Sequence, residues 1–299
     1  ISSVLATNIG SSGTLLGNPI GILIAARGNL SFEDFLKQAF PITAVVLVAS
    51  IFLLCFWYRN YIKQLNKKIS DLSGNKFFLS LISIVPDRKL KVSVGIFIIT
   101  LIVIAFHRRL ELFFNIEENA LLLMIPLVAA GVALLYRSDR MRHYIEHDVE
   151  WMSIIFFLFL FAQAGAIKYS GISDFFARKL IENVHSNPVL LSGVLLFSSG
   201  ILSSILDNTV VVASYIPVIL SLDSFNILIK PLWWAVLFGA CYGGNITVIG
   251  STANIVAMDI LEKKKKTRIS FLRWLKIGLV VGVFSMAISY ALLLLFKVQ

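Results

Sequence analysis

The sequence predicts an all-α polytopic membrane protein with inverted repeats, broken transmembrane helices and a re-entrant hairpin. Three observations predict it. Hydrophobic residues make up 58% of the 299, and the mean hydropathy is +0.84, whereas a soluble domain holds roughly 45–50% apolar residues. Apolar stretches close to the ~20 residues of a spanning helix alternate with basic loops. The start and the end of the chain also match one another, and both copies are interrupted by Gly, Asn, Ser and Thr.

In chain order, 1–58 reads as the end of a first repeat, a broken helix at 1–26 followed by a span at 39–58. Residues 59–91 form a basic linker in which Phe77, Phe78, Leu81, Ile82 and Ile84 lie near helical spacing, as in an amphipathic helix on a membrane surface or a plain solvated linker. Scaffold spans follow at 92–106, 119–136 and 151–169, the first of them short and expected to extend into its flanks. A second repeat occupies 170–299, with a hairpin at 188–222, a broken helix at 231–260 and a last span at 271–296. The chain opens on Ile1 inside a matched motif and shows no signal-peptide pattern, so it is expected to be N-terminally truncated.

The net charge of +10 is dispersed between apolar spans, which fits loops facing anionic lipid and not nucleic acid. Loops 59–91, 137–150 and 261–270 hold most of the Lys and Arg and are expected to be cytoplasmic. Alternating spans reproduce that pattern if 188–222 enters and leaves on the outer side. Cys55 and Cys241 have no metal or redox spacing and read as small packing residues.

The repeat is the most informative feature. Residues 10–17 (GSSGTLLG) align without gaps on 243–250 (GGNITVIG), and 31–37 (SFEDFLK) align on 270–276 (SFLRWLK). Loop charge gives the two broken helices opposite directions, an arrangement found in many secondary transporters. Irregular backbone at bilayer depth costs several kcal/mol per unsatisfied group unless protein or water supplies partners. Freed carbonyls with the Thr14 and Thr247 hydroxyls suit a dehydrated Na⁺, and half-helix N-termini suit an anion. Asn8, Asn18, Asn245 and Asn254 add neutral partners, and close packing by small residues is the competing reading.

Asp207 is the sharpest single residue. It lies in SSILDNTVVV (203–212) at the expected hairpin tip, far from any basic loop. A carboxylate at a helix centre costs about 2.5–3.5 kcal/mol in the membrane and points to function. It could hold Na⁺ or a proton, or cap the second half of the hairpin through the Asn208 and Thr209 N–H groups. Gln163 and Lys168 sit late in their span; Lys168 can reach the interface. His107, His143, His147 and His185 fall at loop edges, and Glu111, Glu117 and Glu118 read as a solvated outer loop.

Three stretches, 8–19 (NIGSSGTLLGNP), 204–209 (SILDNT) and 238–254 (FGACYGGNITVIGSTAN), together resemble the ion transporter superfamily. The branch is the citrate-transporter-like and arsenite permease–sodium/proton antiporter one that includes the P protein. The likeness covers essentially the whole chain. It implies two inverted repeats, each with a re-entrant hairpin and a broken helix, moving elevator-like in a homodimer. It implies substrate between hairpin tips and broken helices, with no cofactor beyond Na⁺ or H⁺ as coupling ion. Residue by residue, Asp207, Asn208 and Thr209 match the hairpin-tip motif, while Thr14, Gly17, Asn18, Thr247, Gly250, Ser251 and Asn254 fall within the broken-helix stretches. Na⁺ is placed at Thr14, Asn208 and Thr247. The chain departs from the pattern in lacking the first hairpin, and in Asn18-Pro19 where relatives carry Pro-Pro after an acidic or small residue.

These readings give a non-enzymatic secondary active transporter of a small inorganic or carboxylate ion, a citrate- or arsenite-like anion coupled to Na⁺ or H⁺. A Na⁺/H⁺ antiporter using Asp207 is the alternative. A membrane enzyme is disfavoured by the absence of HExxH, of paired intramembrane aspartates and of a Ser/His pair at one depth. A passive channel or structural subunit would lack saturable, gradient-dependent uptake.

Overall fold

The computed structural model describes residues 1–70, 88–118, 120–184, 187–225, 227–265 and 269–295. The expected amphipathic residues Phe77, Phe78, Leu81, Ile82 and Ile84, and also His185, lie outside them. Helices account for nearly all the described residues, and no strand occurs among them. The chain divides into two compact units, 1–52 with 152–299, and 53–151.

In the first unit, α1 (Ser2–Ser11) stops before an irregular segment and α2 (Pro19–Gly28) resumes. Asn18 makes that restart, its side chain accepting from the Gly21 N–H at 2.8 Å with Pro19 at the first helical position. Asn29, left-handed at φ 50°, ends α2. Helix α3 (Phe32–Trp57) is 26 residues long, opens on a capping box between Ser31 and Asp34, and is π-helical over Phe35–Ala39. It begins seven residues before the expected span because the charged first turn, Glu33 and Asp34, hides its start from hydropathy.

The second unit contains α4 (Arg59–Ser70), α5 (Arg88–Ala105), α6 (His107–Phe114) and α7 (Ala120–Tyr136). The short span at 92–106 does extend upstream, to Arg88, and then bends by 64° into α6. α7 turns by 91° into 138–148. Glu111 corrects the expectation of a solvated loop. It is buried in α6, as is His107, because α6 is amphipathic and turns that face inward.

Back in the first unit come α8 (Trp151–Tyr169), α9 (Ile172–Val184), α10 (Pro188–Ser203), α11 (Asn208–Asp223), α12 (Lys230–Gly243), α13 (Thr252–Lys265) and α14 (Phe271–Leu295). α12 is the centre of this unit, buried on all sides from Leu232 to Gly243. Small residues let α10 reach it. The Cα of Gly239 and Gly243 lie so close to the Leu196 and Gly200 carbonyls that a Cβ at either would collide with backbone. Ser203 Oγ also donates to the Ala240 carbonyl at 2.7 Å.

Among the described residues, three helices (α3, α8 and α14) are long and apolar enough to cross a bilayer, and up to five spans result if each bent pair is one. Their outer faces carry large exposed apolar groups such as Phe52, Leu127 and Met152, as lipid contact requires. α10 and α11 have 16 residues each, about 24 Å, short of the ~30 Å hydrocarbon core. This is an all-α, multi-pass membrane protein.

Candidate functional site

The two interruptions have the same construction. After α1, the Cα of Gly17 sits against the Ser11 carbonyl; after α12, that of Gly250 sits against Gly244, the residue aligned with Ser11. The second half-helices begin at aligned residues, Pro19 and Thr252. The following helices open alike: the N–H of Asp34 donates to Ser31 Oγ at 3.2 Å, and that of Arg273 to Ser270 Oγ at 3.3 Å.

The copies also touch reciprocally. Asn18 Nδ2 donates to Cys241 Sγ at 3.2 Å, and Ser251, aligned with Asn18, donates to Oδ1 of Asn8, aligned with Cys241, at 3.2 Å. Exchanged contacts of this kind are those of a pseudo-two-fold pair.

Between the copies lies a buried polar knot. Asn8 Nδ2 donates to Asn245 Oδ1 and Asn254 Oδ1, both at 2.9 Å. Asn254 Nδ2 donates to the Gly244 and Thr247 carbonyls at 2.8 and 2.9 Å, and Asn245 Nδ2 to the Leu5 carbonyl at 3.2 Å. The freed backbone of the second interruption is therefore answered by side chains. The main-chain carbonyl of Asn245 accepts from Trp274 Nε1 at 3.2 Å. Asn8, Asn245, Ser251 and Asn254 are all buried, and their polar atoms face one another.

The hairpin tip lies across the second interruption. Asp207 Oδ1 accepts from the Thr209 N–H at 2.9 Å and so caps α11. Its Oδ2 accepts from the Thr252 N–H at 3.2 Å and the Thr252 hydroxyl at 2.7 Å. Thr247 Oγ1 donates to the Ser204 carbonyl. One carboxylate thus sits at the positive ends of two helices.

Of the sequence-derived candidates, the structure gathers Asn8, Asn245, Ser251 and Asn254 into the knot, Asp207 and Thr209 at the tip, and Thr247 under the tip. Asn18 reaches Ser11 Oγ as well as Cys241. Thr14, Asn208 and Thr247 share no hydrogen bond with one another among the described residues. Sequence reasoning missed Thr252, Ser204 and Ser11. Thr252 was open to discovery, since it aligns with Pro19 at the start of a half-helix.

A model of the citrate transporter family matches residues 1–239, four-fifths of the chain. The chain belongs to the citrate transporter family. Similar proteins include an uncharacterized transporter of Mycobacterium tuberculosis, 30% identical over 97% of this chain and 65% of its own length. Another uncharacterized transporter, from Synechocystis, is 28% identical over 97% of this chain and 66% of its own. The human P protein is 32% identical over 50% of this chain and 19% of its own. This citrate transporter family chain therefore spans slightly under two-thirds of the length of its mycobacterial relatives.

Proposed function

We propose that this chain supplies the substrate-binding half of a secondary active transporter for a small anion, citrate- or arsenite-like, coupled to Na⁺ or H⁺. The observation that carries the reading is the hairpin tip laid on the interruption between α12 and α13 by Asp207–Thr252 and Thr247–Ser204. Those few hydrogen bonds are the contacts an opening hairpin would break, while the asparagine knot beneath keeps the crossed helices fixed. The N-termini of α11 and α13, both closed by Asp207 in this structure, would offer their N–H groups to an anion once the hairpin tip lifts. No Lys or Arg occurs in 8–19, 204–209 or 238–254, so a co-bound cation would balance its charge. The coupling ion is Na⁺ or H⁺, no other cofactor takes part, and the transporter works as a homodimer.

A second reading, Na⁺/H⁺ antiport through Asp207, is favoured by the half-buried position of that carboxylate at the tip. Flux into proteoliposomes containing the full-length protein separates the two. Saturable citrate or arsenite uptake driven by a Na⁺ or H⁺ gradient, and retained in Asp207→Asn, supports the anion transporter and sinks the antiporter. Na⁺-driven proton movement without anion uptake, abolished in Asp207→Asn, does the reverse.

A further inference from the structure

Within the second unit, the bend after α7 gathers charges of both signs at the edge of the bilayer. α7 has 17 residues, about 26 Å, and Leu127 and Leu135 on it are exposed, as lipid contact requires. Its apolar run ends at Tyr136, and the chain then turns by 91° into 138–148. A segment square to a spanning helix lies along the membrane surface. Tyr136 and Trp151 flank it, both exposed, as aromatic residues at headgroup level are. Trp151 Nε1 donates to the Ile145 carbonyl at 2.7 Å and ties the segment down.

An open cavity of about 550 Å³ lies on this segment, lined by Asp139, Arg140, Arg142, His143, Glu146 and His147. The two imidazoles stack, with centroids 4.6 Å apart and planes inclined by 22°. Among the described residues, no group of three His, Cys, Asp or Glu side chains is placed to hold a metal ion. The formal charges of the lining cancel, two arginines against two carboxylates with the histidines neutral. Arg142 Nε lies 2.7 Å from Glu146 Oε1, and Arg137 Nε 3.5 Å from Asp139 Oδ1. Glu146 and Asp139 remain 49% and 62% exposed, and ion pairs in such positions hold weakly and yield to better partners. Arg140 forms no ion pair among the described residues.

We propose that this cavity binds the headgroup of a phosphatidylethanolamine-type lipid, a phosphodiester that carries a primary ammonium. A purely anionic headgroup would set its charge against Asp139 and Glu146, and a purely cationic ligand would meet Arg140 and Arg142. A headgroup with both charges finds a partner for each. The Arg140 guanidinium and the ring N–H groups of His143 and His147 donate to the phosphate oxygens. The ammonium brings three N–H donors to the two carboxylates. A choline headgroup has the same net charge but no N–H to give, so hydrogen bonding separates the two lipids.

The test titrates the full-length protein in detergent with ethanolamine, choline and glycerol lysophospholipids of one chain length and follows thermal unfolding. The ethanolamine lipid is expected to raise the unfolding temperature most. A larger shift with the glycerol lipid marks general attraction of anions, and an equal shift with choline marks the acyl chain or the phosphate alone; either result overturns the proposal. Arg140→Gln is expected to reduce the ethanolamine shift to the choline level. Asp139→Asn with Glu146→Gln leaves the lining positive and is expected to move the preference to the glycerol lipid. These side chains are exposed, so the variants are expected to fold. An ethanolamine advantage unchanged in both variants puts the lipid elsewhere and overturns the proposal. Native mass spectrometry of wild-type protein, counting the lipids retained from an equal mixture, gives a readout without any variant; retention that does not favour ethanolamine overturns the proposal.

Discussion

Asp207 and Thr252 are joined twice, by the Thr252 N–H at 3.2 Å and its hydroxyl at 2.7 Å, both donated to one carboxylate oxygen. The other oxygen caps α11. A residue 45 positions upstream thus closes the N-terminus of α13. Truncation and charge removal should separate. Asp207→Ala is expected to lose about 0.5–2 kcal/mol of stability with the cap, whereas Asp207→Asn keeps one acceptor oxygen for the cap but turns its amide N–H₂ towards the Thr252 donors, and is expected to lose the Thr252 link alone. Thermal unfolding in detergent measures both.

The asparagine knot should behave as a structural fastening. Asn8→Ala leaves Asn245 Oδ1 and Asn254 Oδ1 without their 2.9 Å donor inside the core. The expected cost is about 1–3 kcal/mol per orphaned group. A double-mutant cycle of Asn8→Ala with Ser251→Ala should be non-additive, since they share a hydrogen bond. Additive effects on unfolding would separate Ser251 from the knot.

The glycines of the repeat divide into two kinds. At Gly250 a Cβ would lie 2.8 Å from the Gly244 carbonyl oxygen, which is backbone and cannot step aside. Gly250→Ala is expected to cost about 1–3 kcal/mol. At Gly10, inside α1, the nearest atom to such a Cβ is Leu47 Cδ2 at 4.0 Å. Gly10→Ala is expected to be neutral or to stabilise by about 0.5–1 kcal/mol. Equal losses in chemical unfolding would contradict this close approach at Gly250.

The two thiols should differ in reactivity. Cys55 is exposed and Cys241 is buried with its sulfur facing Asn18. A membrane-permeant maleimide should label Cys55 quickly and Cys241 only slowly. In a Cys55→Ser background, faster labelling after Asn18→Ala would report loosening of the contact between the copies. No change would mean that packing alone shields the sulfur.

The self-match of 10–17 with 243–250 placed both interruptions, 12–18 and 244–251, to within two residues, because glycine at the turn and a capping position beyond it are local demands. Spans with few charges were legible for a similar reason. What escaped was partnership. Nothing in Asn8, Asn245 or Asn254 alone says that they would satisfy one another, and Thr252 shows its role only when the hairpin tip lies against it. His107 and Glu111 were hidden by averaging, since hydropathy over a window dilutes a short amphipathic helix after a bend. The Gly239–Gly243 spacing was visible, but its partner α10 was not.

In the first copy of the repeat, Gly13 on the irregular segment receives Thr43 of α3, with 3.2 Å between the would-be Cβ and Thr43 Cγ2. In the second, the aligned position is Ile246 and it meets Gly282 of α14, at 2.7 Å from Ile246 Cγ1. Bulk and gap have traded sides. A chimera carrying the 246–250 segment in place of 13–17 would press isoleucine onto threonine, and the reverse graft would set glycine against glycine and leave a hole. The copies share an ancestral plan but have become left and right gloves, each fitted only to its own hand.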